Sequence, residues 1–152
     1  MTDTHELNWI SRERLRQIGE HTDDELRRVV DEDWTASALI GHLGFWDRFT
    51  LGRWKLAVER GEDLPEGVWT IWPDLTDLIN GAQLPEWRAL PPRTAVNLAI
   101  EAAEAIDAYL SQLDQTRIEA ARDVGPRLVD RSKHRNQHLD AIEASLAQAE
   151  TL

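Results

Sequence analysis

Five of the six prolines fall between residues 61 and 92, and that crowding divides the chain more sharply than any other feature. Proline fixes φ, lacks a backbone donor and breaks helix interiors, so long helices are to be sought on either side of this segment. From Thr35 to Arg60 no proline intervenes, and Leu39, Leu43, Trp46, Phe49, Thr50 and Trp54 recur at threes and fours. That period is one face of a long helix, with Gly61 as its stop. Before it, Leu7, Ile10, Leu15 and Ile18 predict an amphipathic helix from about Leu7 to His21, followed by a short segment that Thr22 and Glu25 open as a capping box. Beyond the prolines, Ala95, Ala99, Ala102, Ile106, Tyr109, Leu110 and Leu113 predict a helix over 94–113 whose small residues admit a close neighbour. A fourth long helix is expected over 132–148.

No segment alternates polar and apolar residues for long enough to read as a strand, and there is no repeat. The expected fold is all-α, a four-helix bundle forming a single domain over residues 1–152. The connection between its second and third long helices is expected to hold one or two short helices, with Pro73 in a first helical turn. A connection of that length acts as a lid, a binding element or an interface.

Hydrophobic residues make up 41% of the chain but nowhere approach the ~20 consecutive apolar residues of a membrane span. The opening "MTDTHELNWISRERLRQ" lacks the apolar centre of a secretory signal, and a cytoplasmic location is expected. The formal charge is −11, from 28 acidic and 17 basic side chains, with no basic run that would neutralise phosphates. Nucleic acid and anionic membranes are therefore not expected as partners; a small-molecule substrate is, and exposed bundle faces would suit a homodimer. There is no cysteine, so any metal has to be held by His, Asp or Glu.

Two of the five histidines, His134 and His138, stand four apart and share one helix face. The same stripe continues through Ile142 and Leu146. His42 precedes Trp46 by one turn and faces the core with it. Three imidazoles from two helices make a facial set for zinc, nickel or a similar divalent ion, with a position open for water or substrate. The same spacing suits buried histidines satisfied by backbone or carboxylate partners, and the residues alone leave both readings open. Of the seven tryptophans, Trp9, Trp34, Trp46, Trp54, Trp69, Trp72 and Trp87, most are expected in the core or an interface. Trp46, with Trp34 and Trp72, could wall a site for a small organic ligand. Arg131 and Arg135 flank His134, and Arg135 could meet an anionic substrate, although a surface position is the blander account. Asp47 and Arg48 are expected on a solvated face. No glycine-rich phosphate loop and no serine elbow appears.

The segments "WTASALIGHLGFWD", "DLINGAQLPEWRALPPRTA" and "DRSKHRNQHLDAI" together resemble the DinB-like superfamily, in particular relatives of the amino-terminal domain of mycothiol-dependent maleylpyruvate isomerases. The resemblance runs in the same order over nearly the whole chain. It implies a four-helix bundle and a divalent metal on His42, within "GHL", and on His134 and His138, within "HRNQH". It further implies thiol-dependent transfer to, or isomerisation of, a small electrophile, with a low-molecular-weight thiol as co-substrate, and the superfamily also includes hydrolases. Non-catalytic binding or sequestration of a metal or small molecule, and a structural dimeric bundle, are the alternatives. Where the family often carries a glutamate just before the last histidine, this chain has Gln137.

Overall fold

Asp3 begins the first helix by accepting from the backbone N–H of His5, and α1 runs over Thr4–Gly19. The computed structural model describes residues 3–64 and 72–151. Helix α2, Asp23–Leu26, opens on the expected capping box, in which Thr22 Oγ1 accepts from Glu25 N–H and the Glu25 carboxylate accepts from Thr22 N–H. A two-stranded antiparallel ribbon follows, β1 Val29–Asp31 and β2 Trp34–Thr35, turned by Glu32 at φ 46°. Strands this short show no alternation that a sequence could reveal.

Thr35 then caps α3, Ala36–Arg60, by accepting from Ala38 N–H, and Gly61 ends it at φ 65°, a conformation glycine adopts without steric cost. Helix α4 covers Leu75–Ala89, α5 Pro92–Gln112, α6 Gln115–Val124 and α7 Ser132–Glu150, with a 3₁₀ turn over Pro126–Leu128. The four long helices α1, α3, α5 and α7 pack as the expected bundle. Among the described residues no helix is long and apolar enough to cross a membrane.

Two expectations need correction. The connection between α3 and α5 holds a 15-residue helix rather than short ones, because α4 continues through Pro85. Pro73 precedes that helix instead of lying in its first turn. Part of the connection, including Trp69, lies outside the described residues. The polar run after residue 113 also forms a helix, α6, opened by Asp114 accepting from Thr116 N–H.

Leu15, Ile18, Ile40, Leu43, Val96, Ala99, Leu139 and Ile142 form one buried cluster to which all four long helices contribute. Burying each leucine or isoleucine contributes about 1.5–3 kcal/mol. Helices α3 and α5 approach backbone to backbone: a Cβ on Gly44 would lie 3.0 Å from Cα of Ala99. A second cluster, including Trp54, Ile106, Leu110 and Ile118, lies farther along the same two helices, and Trp54 Nε1 donates to the Leu128 carbonyl at 2.9 Å.

Candidate metal centre

Helix α3 brings His42, and α7 brings His134 and His138, to one point. The three ring centroids stand 4.7–5.0 Å apart, and one nitrogen from each ring lies within 4.8 Å of the others. Nε2 of His42 lies 2.9 Å from Nε2 of His134. Two nitrogens each about 2.0–2.1 Å from one ion, and at right angles about it, would be separated by about 2.9 Å. That pair is spaced for a shared divalent ion, and His138 brings a third imidazole nitrogen within 4.8 Å of both.

The rings are held in the form a metal requires. Burial, then the neighbouring His138 and Arg131, pushes the pKa of His42 down to about 3, against an opposing influence from the Asn80 side chain. Burial, with His42 and Arg131 next, pushes His134 down to about 2, and burial followed by Arg127 lowers His138. Neutral imidazoles keep their lone pairs available for an ion. Nδ1 of His42 is buried and has no hydrogen-bond partner among the described residues. The ring's Nε2 faces His134 Nε2 at the shared centre, which is the polar outlet on that side of the ring.

Aromatic rings enclose this outlet. Trp34 and Trp87 meet His42 edge-on at 5.5 and 5.3 Å, and Trp46 lies 6.4 Å away with Nε1 donating to Asn80 Oδ1 at 2.9 Å. The histidines open into a cavity of about 910 Å³ walled by Trp34, Trp46, Phe49, Leu84 and Leu128. Among the described residues its lining carboxylates, Asp31 and Asp77, are exposed and come from the ribbon and from α4.

A buried charge network holds the histidine-bearing helix beneath the cavity. Asp47 accepts from Arg131 Nε at 2.8 Å and from Arg135 Nε at 3.1 Å. The Arg135 guanidinium also grips Asp107 with both terminal nitrogens, at 3.1 and 2.8 Å, and donates to Asn8 O and Ser11 Oγ. Burial opposes its charge, but Asp47 and Asp107 together outweigh that effect and raise its pKa. From α1, Asn8 Oδ1 accepts from the N–H groups of Arg131 and Ser132 at 2.8 and 3.1 Å, and its Nδ2 donates to Val129 O at 2.9 Å. Asn8 thus caps α7 from α1, sharing the Ser132 N–H with Asp130 Oδ1 at 3.0 Å and taking the Arg131 N–H for itself.

His42, His134 and His138 are brought together, with Trp34 and Trp46 on the cavity wall. Trp72 is 48% exposed and does not line the cavity. Arg135 is fully buried, and its contacts are with protein carboxylates and backbone rather than with the cavity. Asp47, expected on a solvated face, is 1% exposed. Sequence reasoning did not place Trp87, Asn80 or Arg127 at the site, since their approach depends on α4 and on the turn before α7.

The profile of the DinB superfamily matches residues 10–142, a span that includes all three histidines. No curated protein and no solved structure matches the chain.

Proposed function

Because this chain belongs to the DinB superfamily, we propose that it is a metal-dependent enzyme acting on a small electrophile. In this reading His42, His134 and His138 hold a divalent ion, zinc or nickel, and a low-molecular-weight thiol such as mycothiol or bacillithiol is the co-substrate. The observation that carries the proposal is the convergence of three neutral imidazoles from α3 and α7 on one centre at the floor of a cavity. The closer relation to mycothiol-dependent maleylpyruvate isomerases, with transfer or isomerisation as the outcome, belongs to the same proposal.

An ion bound there would lower the pKa of a thiol and hold it as the nucleophilic thiolate. The three rings contribute no charge, so they leave the ion's positive charge undiminished for an anionic partner. Among the described residues no carboxylate is hydrogen-bonded to the trio as a base for water would be, and position 137 carries an amide. A thiol with an ordinary pKa of about 8.5 needs only a modest push. Trp34 and Trp46 line the cavity beside the histidines and offer aromatic surface to an organic substrate, while Trp87 packs behind them against Trp34 and His42.

Elemental mass spectrometry on untagged protein, alongside His42→Ala and His138→Ala, tests the metal. About one ion per chain, lost in both variants, is expected; no ion after reloading with zinc, nickel, manganese or iron would overturn the reading. Incubating loaded protein with mycothiol or bacillithiol and a model electrophile then tests the chemistry. A new carbon–sulfur bond, or an isomerised substrate with the thiol returned, supports it. Ligands recovered unchanged would replace catalysis with sequestration.

A further inference from the structure

A chain of net charge −11 turns three of its guanidinium groups, Arg53, Arg127 and Arg131, toward one cavity. Arg131 is neutralised by Asp47 at 2.8 Å, and Arg53 has partners of its own. Arg127 differs. It sits on the 3₁₀ turn before α7, is exposed, and among the described residues forms no ion pair. Its Nη2 donates to Oε1 of Gln137 at 3.3 Å, and its carbonyl accepts from Arg131 Nη1 at 2.7 Å.

Gln137 immediately precedes His138 and also lines the cavity. A carboxylate at position 137 would pair with Arg127 and cancel its charge; the amide leaves that charge in place. With Oε1 engaged, the Gln137 amide nitrogen donates to nothing among the described residues and can join the guanidinium as a second donor. Arg127 and Gln137 line the same cavity as the three histidines. Asp31 and Asp77 also line the cavity, and neither pairs with Arg127.

The geometry points to an anion subsite: Arg127 and the Gln137 amide receive a carboxylate borne by the same small molecule whose reactive end reaches the three histidines, with Trp46, Phe49 and Leu128 against its apolar middle. A guanidinium matches a carboxylate in shape as well as charge, and charge-assisted hydrogen bonds are the stronger kind. The inference rests on the metal reading above and adds the substrate class, a small organic carboxylate.

Cobalt-loaded full-length protein tests it through the visible spectrum of the ion, which changes when a thiolate binds. The probes are mercaptoacetate, mercaptopropionate and mercaptobutyrate, each titrated beside its neutral amide. At least one acid is expected to bind roughly tenfold more tightly than its amide, with the preference shrinking as salt is added. Arg127→Met is expected to abolish the preference while leaving the amide affinity unchanged, and Arg127→Lys to retain most of it. Equal binding of every acid and its amide, or a preference that survives Arg127→Met, overturns the subsite while the metal reading stands. Failure of the wild-type protein to take up cobalt overturns both.

Discussion

Oδ2 of Asp47 accepts from Nε of Arg135 at 3.1 Å across 88 positions of sequence, in a region where both side chains are almost wholly buried. The same carboxylate neutralises Arg131 through its other oxygen. Replacing Asp47 by alanine would leave the buried Arg131 guanidinium without its counter-charge and Arg135 with Asp107 alone. A loss of about 3–5 kcal/mol in denaturant unfolding is expected; a loss below about 1 kcal/mol would show that water takes over the carboxylate's role.

The low histidine pKa values predict how metal-free protein responds to acid. His42 and His134 titrate near 3 and 2 when folded, against an ordinary value of 6.5 in the unfolded chain. Between those limits the unfolded state binds more protons, so this contribution to stability is fully present above about pH 6.5 and declines as pH falls toward 3. Each ring would contribute at most about 1.4 kcal/mol per pH unit. Denaturant midpoints measured from pH 7.5 to pH 5 on wild type and on a His42→Gln, His134→Gln double variant check this. Parallel curves for the two proteins would refute it.

Two glycines on α3 form an internal control. A Cβ at Gly44 would lie 3.0 Å from Ala99 Cα and 3.1 Å from the Arg48 guanidinium, whereas nothing lies within 4 Å of one at Gly52. Because the Ala99 backbone cannot move aside, Gly44→Ala is expected to cost about 1–3 kcal/mol. Gly52→Ala is expected to stabilise by roughly 0.5–1 kcal/mol through helix propensity. Thermal melts of the two variants decide the matter; a Gly44→Ala protein as stable as wild type would mean that the α3–α5 contact is looser than 3.0 Å implies.

Asn8 is tested by separating its two roles. Asn8→Asp keeps an acceptor for the Arg131 and Ser132 N–H groups but loses the donor to Val129 O, and Asn8→Ala loses all three bonds. The expected order of stability is wild type, Asn8→Asp, Asn8→Ala, with the last about 1–3 kcal/mol below wild type. Hydrogen exchange should be fastest at the start of α7 in Asn8→Ala. Protection at that helix start equal to wild type would sink the capping role.

Much of this architecture could be read from residue spacing, because α3 and α5 combine uninterrupted helical period with an obvious stop or an alanine stripe. The capping box at Thr22 and Glu25 and the stop at Gly61 are local chemistry and form as read. Helix α4 was obscured by Pro85, which local rules treat as a terminator although this helix runs through it. At the site, helical spacing put His42, His134 and His138 on inward faces, whereas their reading as one ligand set came from the resemblance to the DinB-like superfamily. The partners of Arg135 were not, since Asp47 and Asp107 reach it from other helices. A charged residue's burial depends on who arrives opposite it, and single-helix periodicity carries no record of that.

The cap that Asn8 provides also ties the site to the order of synthesis. Asn8 and His42 leave the ribosome early, but the two remaining imidazoles stand on a helix that begins only at Ser132. A nascent chain broken off before that point would present one candidate ligand and no triad. Retention of an ion by the full trio would therefore require translation through His138, and a product terminated before Ser132 could be told from a longer one by its inability to retain the ion.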